Sequence, residues 1–128
     1  MTYTYNRLLS GVAIDDAHMR VCDALGMQGF GVLTEIDVKE TLKKKIDVEV
    51  DGHRILGACN PTMAHKAIGL EPRIGAMLPC NVILRQMKDG TEVSAIDPVA
   101  SMAAVENNEL HAVAGEVRDM LRAAIDSA

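Results

Sequence analysis

Tryptophan is missing and aromatics are scarce: Tyr3, Tyr5 and Phe30 are the three aromatic side chains among 128 residues. So few rings offer no platform on which successive nucleic-acid bases stack. Basic charge is also short, with 13 Lys and Arg against 18 Asp and Glu and a formal net charge of −5. The one basic run, Lys43-Lys44-Lys45, is not interleaved with aromatics, so a phosphate-backbone partner is not expected. No apolar run approaches the roughly 18 residues of a membrane span. The N-terminal "MTYTYNRLLSGVAIDD" has neither a continuous apolar segment nor a small-residue cleavage site, which leads to the expectation of a cytoplasmic protein without a membrane partner. Cysteine is limited to Cys22, Cys59 and Cys80. An odd number without export signals predicts reduced thiols rather than a disulfide framework. Neither Cys-x-x-Cys nor His-x-x-x-His occurs, so no metal and no cofactor is expected.

What is present is an ordinary globular composition, 48% hydrophobic and 24% charged, with no repeat, low-complexity tract or linker. A chain of this length buries roughly two thirds of its unfolded surface around one core, so a single domain over residues 1–128 is expected. Eight methionines take the gap-filling role that rings play elsewhere and give an aliphatic, adaptable core.

Apolar runs alternate with helix-start signals. "TYTYNRLL" reads as an opening strand, and Ala17, Val21, Ala24 and Leu25 form a helical stripe with Gly26 as its expected stop. "GFGVLTEI" reads as a second strand that hands over to a helix capped by Asp37, with Glu40 three positions on. Asp51-Gly52 marks either a hairpin between "DVEV" and "HRILGA" or a loop into one strand. Asn60-Pro61 supplies a cap followed by proline at the first helical position, and Met63, Ala64, Ala67 and Ile68 share a face that ends near Gly69. "LPCNVILRQM" and "TEVSAI" flank Lys88-Asp89-Gly90 as a hairpin. Asp97-Pro98 repeats the cap device, and Leu110, Val113, Ala114, Val117, Leu121 and Ala124 mark a final helix. The expected class is α/β (α+β): a mixed sheet of about five strands with helices packed on it.

A Cys-Asn pair occurs twice, as Cys59-Asn60 and Cys80-Asn81. Cys59 falls where a strand gives way to a helix, and the free amides and dipole at a helix start favour a thiolate; a small sulfur packed beneath the helix is the plainer reading. Asn60 is explained as the cap. Asn81 opens an apolar strand, where asparagine is depleted, so its amide is expected to meet a loop or a ligand. Gly57 and Ala58 leave room for a close approach, and ligands of open α/β sheets lie beyond the carboxyl ends of strands. Cys59, Asn60, Cys80, Asn81, Glu35 and His65 are the ligand-site candidates, with Cys59 and Cys80 the candidates for any catalytic thiol. Glu35 also reads as a solvated strand end and His65 as a residue at the border of its helix's apolar face. His18, His53 and His111 read as flank or loop residues. No serine stands in a nucleophile elbow, and Gly26, Gly29 and Gly31 are in the wrong order for a dinucleotide loop.

Together "GFGVLTEID", "TLKKK", "RILGACNP", "AHKA", "LPCNV" and "DP" resemble the bacterial and archaeal family catalogued as domain of unknown function 302, over about Gly29 to Met102. The resemblance implies a compact α/β domain, usually alone in its chain and homodimeric, with no established activity, substrate or cofactor. It places Glu35, Cys59, Asn60, Pro61, Cys80, Asn81, Asp97 and Pro98 within the family's motifs and assigns them no role. "VEVDGHRILG" departs from the looser linker expected there. The leading expectation is a dimeric domain that binds a small ligand or partner near the Cys-Asn pairs. The rivals are a thiol enzyme or sulfur carrier using Cys59, and a purely structural dimerisation module. The homodimer is expected to pair or cover the unguarded "TYTYNRLL" edge.

Overall fold

A computed structural model describes residues 2–128. Five strands, β1 (Thr4–Ser10), β2 (Gly31–Asp37), β3 (His53–Cys59), β4 (Cys80–Met87) and β5 (Gly90–Ile96), form one sheet in the order β1-β5-β4-β3-β2. The helices are α1 (Ile14–Met27), α2 (Val38–Ile46), α3 (Pro61–Leu70), the four-residue α4 (Pro98–Ser101) and α5 (Asn108–Ser127), with a 3-10 segment over Pro72–Met77. This is the α+β class with the expected five strands, but the sheet is not mixed. All four neighbouring pairs are antiparallel. β4 and β5 meet in the Lys88-Asp89 hairpin, while α2 and α3 each return the chain beside the strand it left, so no neighbour is parallel. The crossover through α1 does join two strands of like direction, yet it carries the chain to opposite edges of the sheet.

The local signals act largely where the sequence placed them. Asp37 accepts from the Glu40 amide at 3.0 Å, Asn60 from Met63 at 3.2 Å, and Asp97 from Val99 at 2.9 Å, each quieting one of the free amides of a helix start. Asp97 caps only the short α4; Asn107 caps α5. The first helix does not stop at Gly26 but runs to Met27. Gly29, at φ +83, turns the chain, and its amide reaches Gly26 while that of Phe30 reaches Leu25. This pattern needs the left-handed residue three positions later than Gly26. "DVEV" is a loop rather than a strand: Asp47 ends α2 in the left-handed region at φ 54, and β3 begins only at His53.

α1 and α5 cover one face of the sheet, over a core that includes Leu25, Leu56, Val82, Leu84, Leu121 and Ile125. α5 also ties down edge strand β1, since Tyr5 donates to Asp126 at 2.7 Å and Arg7 donates to the Ile125 carbonyl at 2.8 Å. By strand alternation the other face carries Ile36, Ile55, Ile83, Ser94 and Asn6 in one cross-strand row. Helix α2 meets the sheet chiefly at β2 and β3, and Ile36 and Leu8 are left 47% and 46% exposed.

Candidate functional site

Antiparallel pairing decides what the Cys-Asn repeat becomes. Ala58 lies opposite Cys80, so β3 ends and β4 begins at the same end of the sheet. The argument from carboxyl ends of strands therefore does not apply, because strand ends alternate along this edge. Cys59 and Cys80 nonetheless line one narrow cleft of ≈ 30 Å³ between the sheet, α3 and α5, together with Phe30, Met63, Leu78 and Met102. Its lining holds no charged side chain, and Asn60 is its one amide. Cys80 is only 6% exposed. Burial first, and then the neighbouring Cys59, push its thiol up to about 11, so it is neutral at physiological pH.

Asn60 is held from both ends. Its carbonyl oxygen caps α3, and its amide nitrogen donates to the Gln28 carbonyl at 3.4 Å, which ties the start of α3 to the turn after α1. Gly29 makes room for that amide: a Cβ there would sit 3.1 Å from Asn60 Nδ2. Gly57 is filled in the same manner from the other face. A Cβ at Gly57 would lie 2.1 Å from Thr34 Oγ1 and 2.7 Å from Pro79 Cγ. Three of the recognised motifs therefore interlock here, with Thr34 of "GVLTEID" and Pro79 of "LPCNV" seated over the glycine of "ILGACNP". The close approach anticipated at Gly57 is made by the protein itself.

The other candidates lie elsewhere. Asn81 is exposed and, one residue out of phase with Cys80, lies on the opposite face of the sheet beside Gly57. His65 is exposed on α3 and does not line the cleft. Glu35 faces α1, where its carboxylate meets His18 Nε2 at 2.9 Å. Arg54 donates to His18 Nδ1 at 2.9 Å and pairs with Asp15. Cys22, one turn beyond His18, completes a cluster whose three donor atoms lie within 4.8 Å of one another. Burial raises the Cys22 thiol, and the carboxylates of Glu35 and Asp23 raise it further. Sequence reading set His18 aside as a flanking residue. The signal it passed over is the His18-x-x-x-Cys22 spacing, which places both side chains on one helical face.

Among the described residues no helix is long and apolar enough to cross a membrane. No curated protein matches the chain. A crystal structure of an uncharacterized conserved protein DUF302 from Bacillus stearothermophilus superposes with a TM-score of 0.92 at 24% identity, covering 99% of this chain and 98% of that one. At that identity the likeness shows the fold. The family model described as "Domain of unknown function DUF302" matches residues 6–128, well beyond the Gly29–Met102 span of the quoted motifs. The chain belongs to the DUF302 family.

Proposed function

We propose that this chain is a small-ligand-binding domain whose ligand enters the apolar cleft between the ends of β3 and β4 and helices α3 and α5. The observation that carries this reading is the joint lining of one uncharged cleft by Cys59, Cys80, Met63 and Met102. Apolar concavities with a single polar group are how proteins bind small organic molecules. With one bond made by each end of its amide, Asn60 retains an N–H and a lone pair with which to orient a ligand. The ligand class is therefore small, neutral and largely apolar, with one hydrogen-bonding group. A volume of ≈ 30 Å³ holds little more than a water-sized group, so admission requires Met63 and Met102 to swing, which unbranched thioether side chains do readily. The thiol-enzyme reading gains less support: the lining provides no base or cation beside Cys59, and activated thiols need one.

The test is thermal shift with indole and substituted benzenes on the wild type and on Ala64→Leu, a change that narrows the cleft from a half-buried helix position. Stabilisation of the wild type that is lost in the variant is the expected result. No shift with any member of the panel refutes the reading. The homodimer belongs to the same proposal, supported by the sheet face opposite α1 and α5, with its row Ile36, Ile55 and Ile83, and by the exposed Ile36 and Leu8 on the two edge strands. The cytoplasmic assignment belongs to the same proposal, supported by three cysteines that form no disulfide.

A further inference from the structure

None of His18, Cys22 and Glu35 lines the apolar cleft, so the cluster they form is independent of the reading above. Helix α1 aims His18 and Cys22 in the same direction, and β2, at the edge of the sheet, brings Glu35 to meet them. We propose that His18, Cys22 and Glu35 form a binding site for a thiophilic divalent cation of the zinc class, with a fourth coordination position left for solvent or a ligand.

The donor set is one sulfur, one imidazole nitrogen and one carboxylate oxygen, the three ligand types that zinc takes. Tetrahedral bonds of about 2.0 Å to nitrogen and oxygen hold those two atoms roughly 3.3 Å apart, and a bond of about 2.3 Å to sulfur holds it roughly 3.5 Å from each. His18 Nε2 and Glu35 Oε1 are 2.9 Å apart and need to open by a few tenths of an ångström. With all three donors within 4.8 Å, the sulfur has little more than about 1 Å to close. Glu35 is an exposed, flexible side chain on an edge strand and supplies that movement. The surrounding charge favours a cation: the Asp15 and Asp23 carboxylates stand near the cluster against the single guanidinium of Arg54. Cys22 binds as its thiolate, as zinc requires.

Arg54 opposes the cation, and this gives the proposal a distinguishing signature. A guanidinium only donates, so its contact with His18 Nδ1 makes that nitrogen the acceptor and puts the ring proton on Nε2, shared with Glu35. A metal at Nε2 takes the place of that proton and the ring then carries its proton on Nδ1, facing Arg54 donors. Arg54 must turn wholly to Asp15. Replacing it with glutamine supplies an acceptor for Nδ1–H, of the kind that orients metal-bound histidines, and removes a positive charge.

Titrating the full chain with Co²⁺ tests this, because a cobalt–thiolate bond gives a charge-transfer absorption in the near ultraviolet. The expected result is one equivalent of absorbing complex, displaced by Zn²⁺, retained in the Cys59→Ser/Cys80→Ser double variant and abolished in Cys22→Ser. His18→Ala and Glu35→Gln should weaken binding by roughly tenfold or more, and Arg54→Gln should tighten it. Should Cys22→Ser fail to fold, the Glu35→Gln variant, at an exposed position, and the His18→Ala variant carry the test alone. Absence of the band in the wild type, its loss in the Cys59/Cys80 double variant, affinity unmoved by His18→Ala and Glu35→Gln, or weaker binding in Arg54→Gln would each overturn the site.

Discussion

Gly57→Ala sets intrinsic preference against packing, and the sign of its effect decides which governs the sheet. On propensity alone, alanine in place of a strand glycine stabilises by about 0.5–1 kcal/mol, because the unfolded chain loses freedom. Gly57 does not lie in the left-handed region, so no backbone strain offsets that gain. The collision does. The added carbon would lie 2.1 Å from Thr34 Oγ1 and 2.7 Å from Pro79 Cγ. Thr34 sits on an exposed edge strand and relieves its contact by rotating about one bond, whereas the Pro79 ring has no such rotation and must move with its backbone. Forced shifts of this kind cost about 1–3 kcal/mol, and with two contacts to relieve the upper part of that range applies, leaving a net destabilisation of about 1–2.5 kcal/mol. Urea unfolding monitored by circular dichroism at pH 7 should show the midpoint fall with the slope unchanged. Adding Thr34→Ala should recover little, because Pro79 remains. A Gly57→Ala protein as stable as wild type, or more so, would refute the interlocked arrangement of Thr34, Gly57 and Pro79.

Asn60→Ala should cost about 1–2 kcal/mol in the same assay through loss of the α3 cap, while Asn60→Asp should retain most of the stability, since the capping bond uses the oxygen; equal losses would show that the donation to Gln28 dominates. Cys80 should be the slowest of the three thiols toward iodoacetamide at pH 7, because a thiol pushed up to about 11 and buried offers almost no thiolate; faster labelling than Cys59 contradicts its placement. The same raised value makes the folded protein hold a proton that the unfolded chain releases, so stability contributed by neutral Cys80 is present below pH 9.0 and declines toward about 11. Cys80→Ala should flatten that part of the stability–pH curve. Sedimentation at micromolar concentration should give about twice the 13.8 kDa chain mass, and Ile83→Glu on the sheet face opposite α1 and α5 should return it to the monomer value; a wild-type mass near 14 kDa refutes the homodimer.

Signals confined to a few residues were legible in the sequence. Asp37, Asn60 and Asp97 announce their caps because a side-chain oxygen reaches an amide two or three positions on, and Lys88-Asp89-Gly90 announces a hairpin because Gly90, at φ +148, adopts a backbone conformation that side chains resist. The stop of α1 was displaced because two glycines, Gly26 and Gly29, compete for one role, and only the hydrogen bonds of the finished turn select the second. Beyond that hairpin, strand order was not legible. Thr4 pairs with Ile96, across most of the chain, and nothing local distinguishes a βα unit that returns beside its own strand from one that crosses to the far edge.

The two side-chain clusters differ in the same physical way. Cys59 and Cys80 stand out together in the sequence because the Cys-Asn dipeptide repeats, and they meet because β3 and β4 are neighbours whose ends coincide; a repeated dipeptide lies on a local pairing. His18, Cys22 and Glu35 depend instead on where α1 crosses the sheet, which follows from the opposite-edge placement of β1 and β2 rather than from any spacing within β2. Glu35 was singled out from the strand pattern alone, but its partners were not. Its chemistry follows from the crossover: had α1 returned beside β1, Glu35 would be a solvated strand end and Arg54 would lack the His18 ring it donates to. The antiparallel topology that overturns the mixed sheet thus also creates the one mixed-donor cluster found among the described residues, which is why a cobalt titration of the Cys22 and His18 variants examines the fold and the site together.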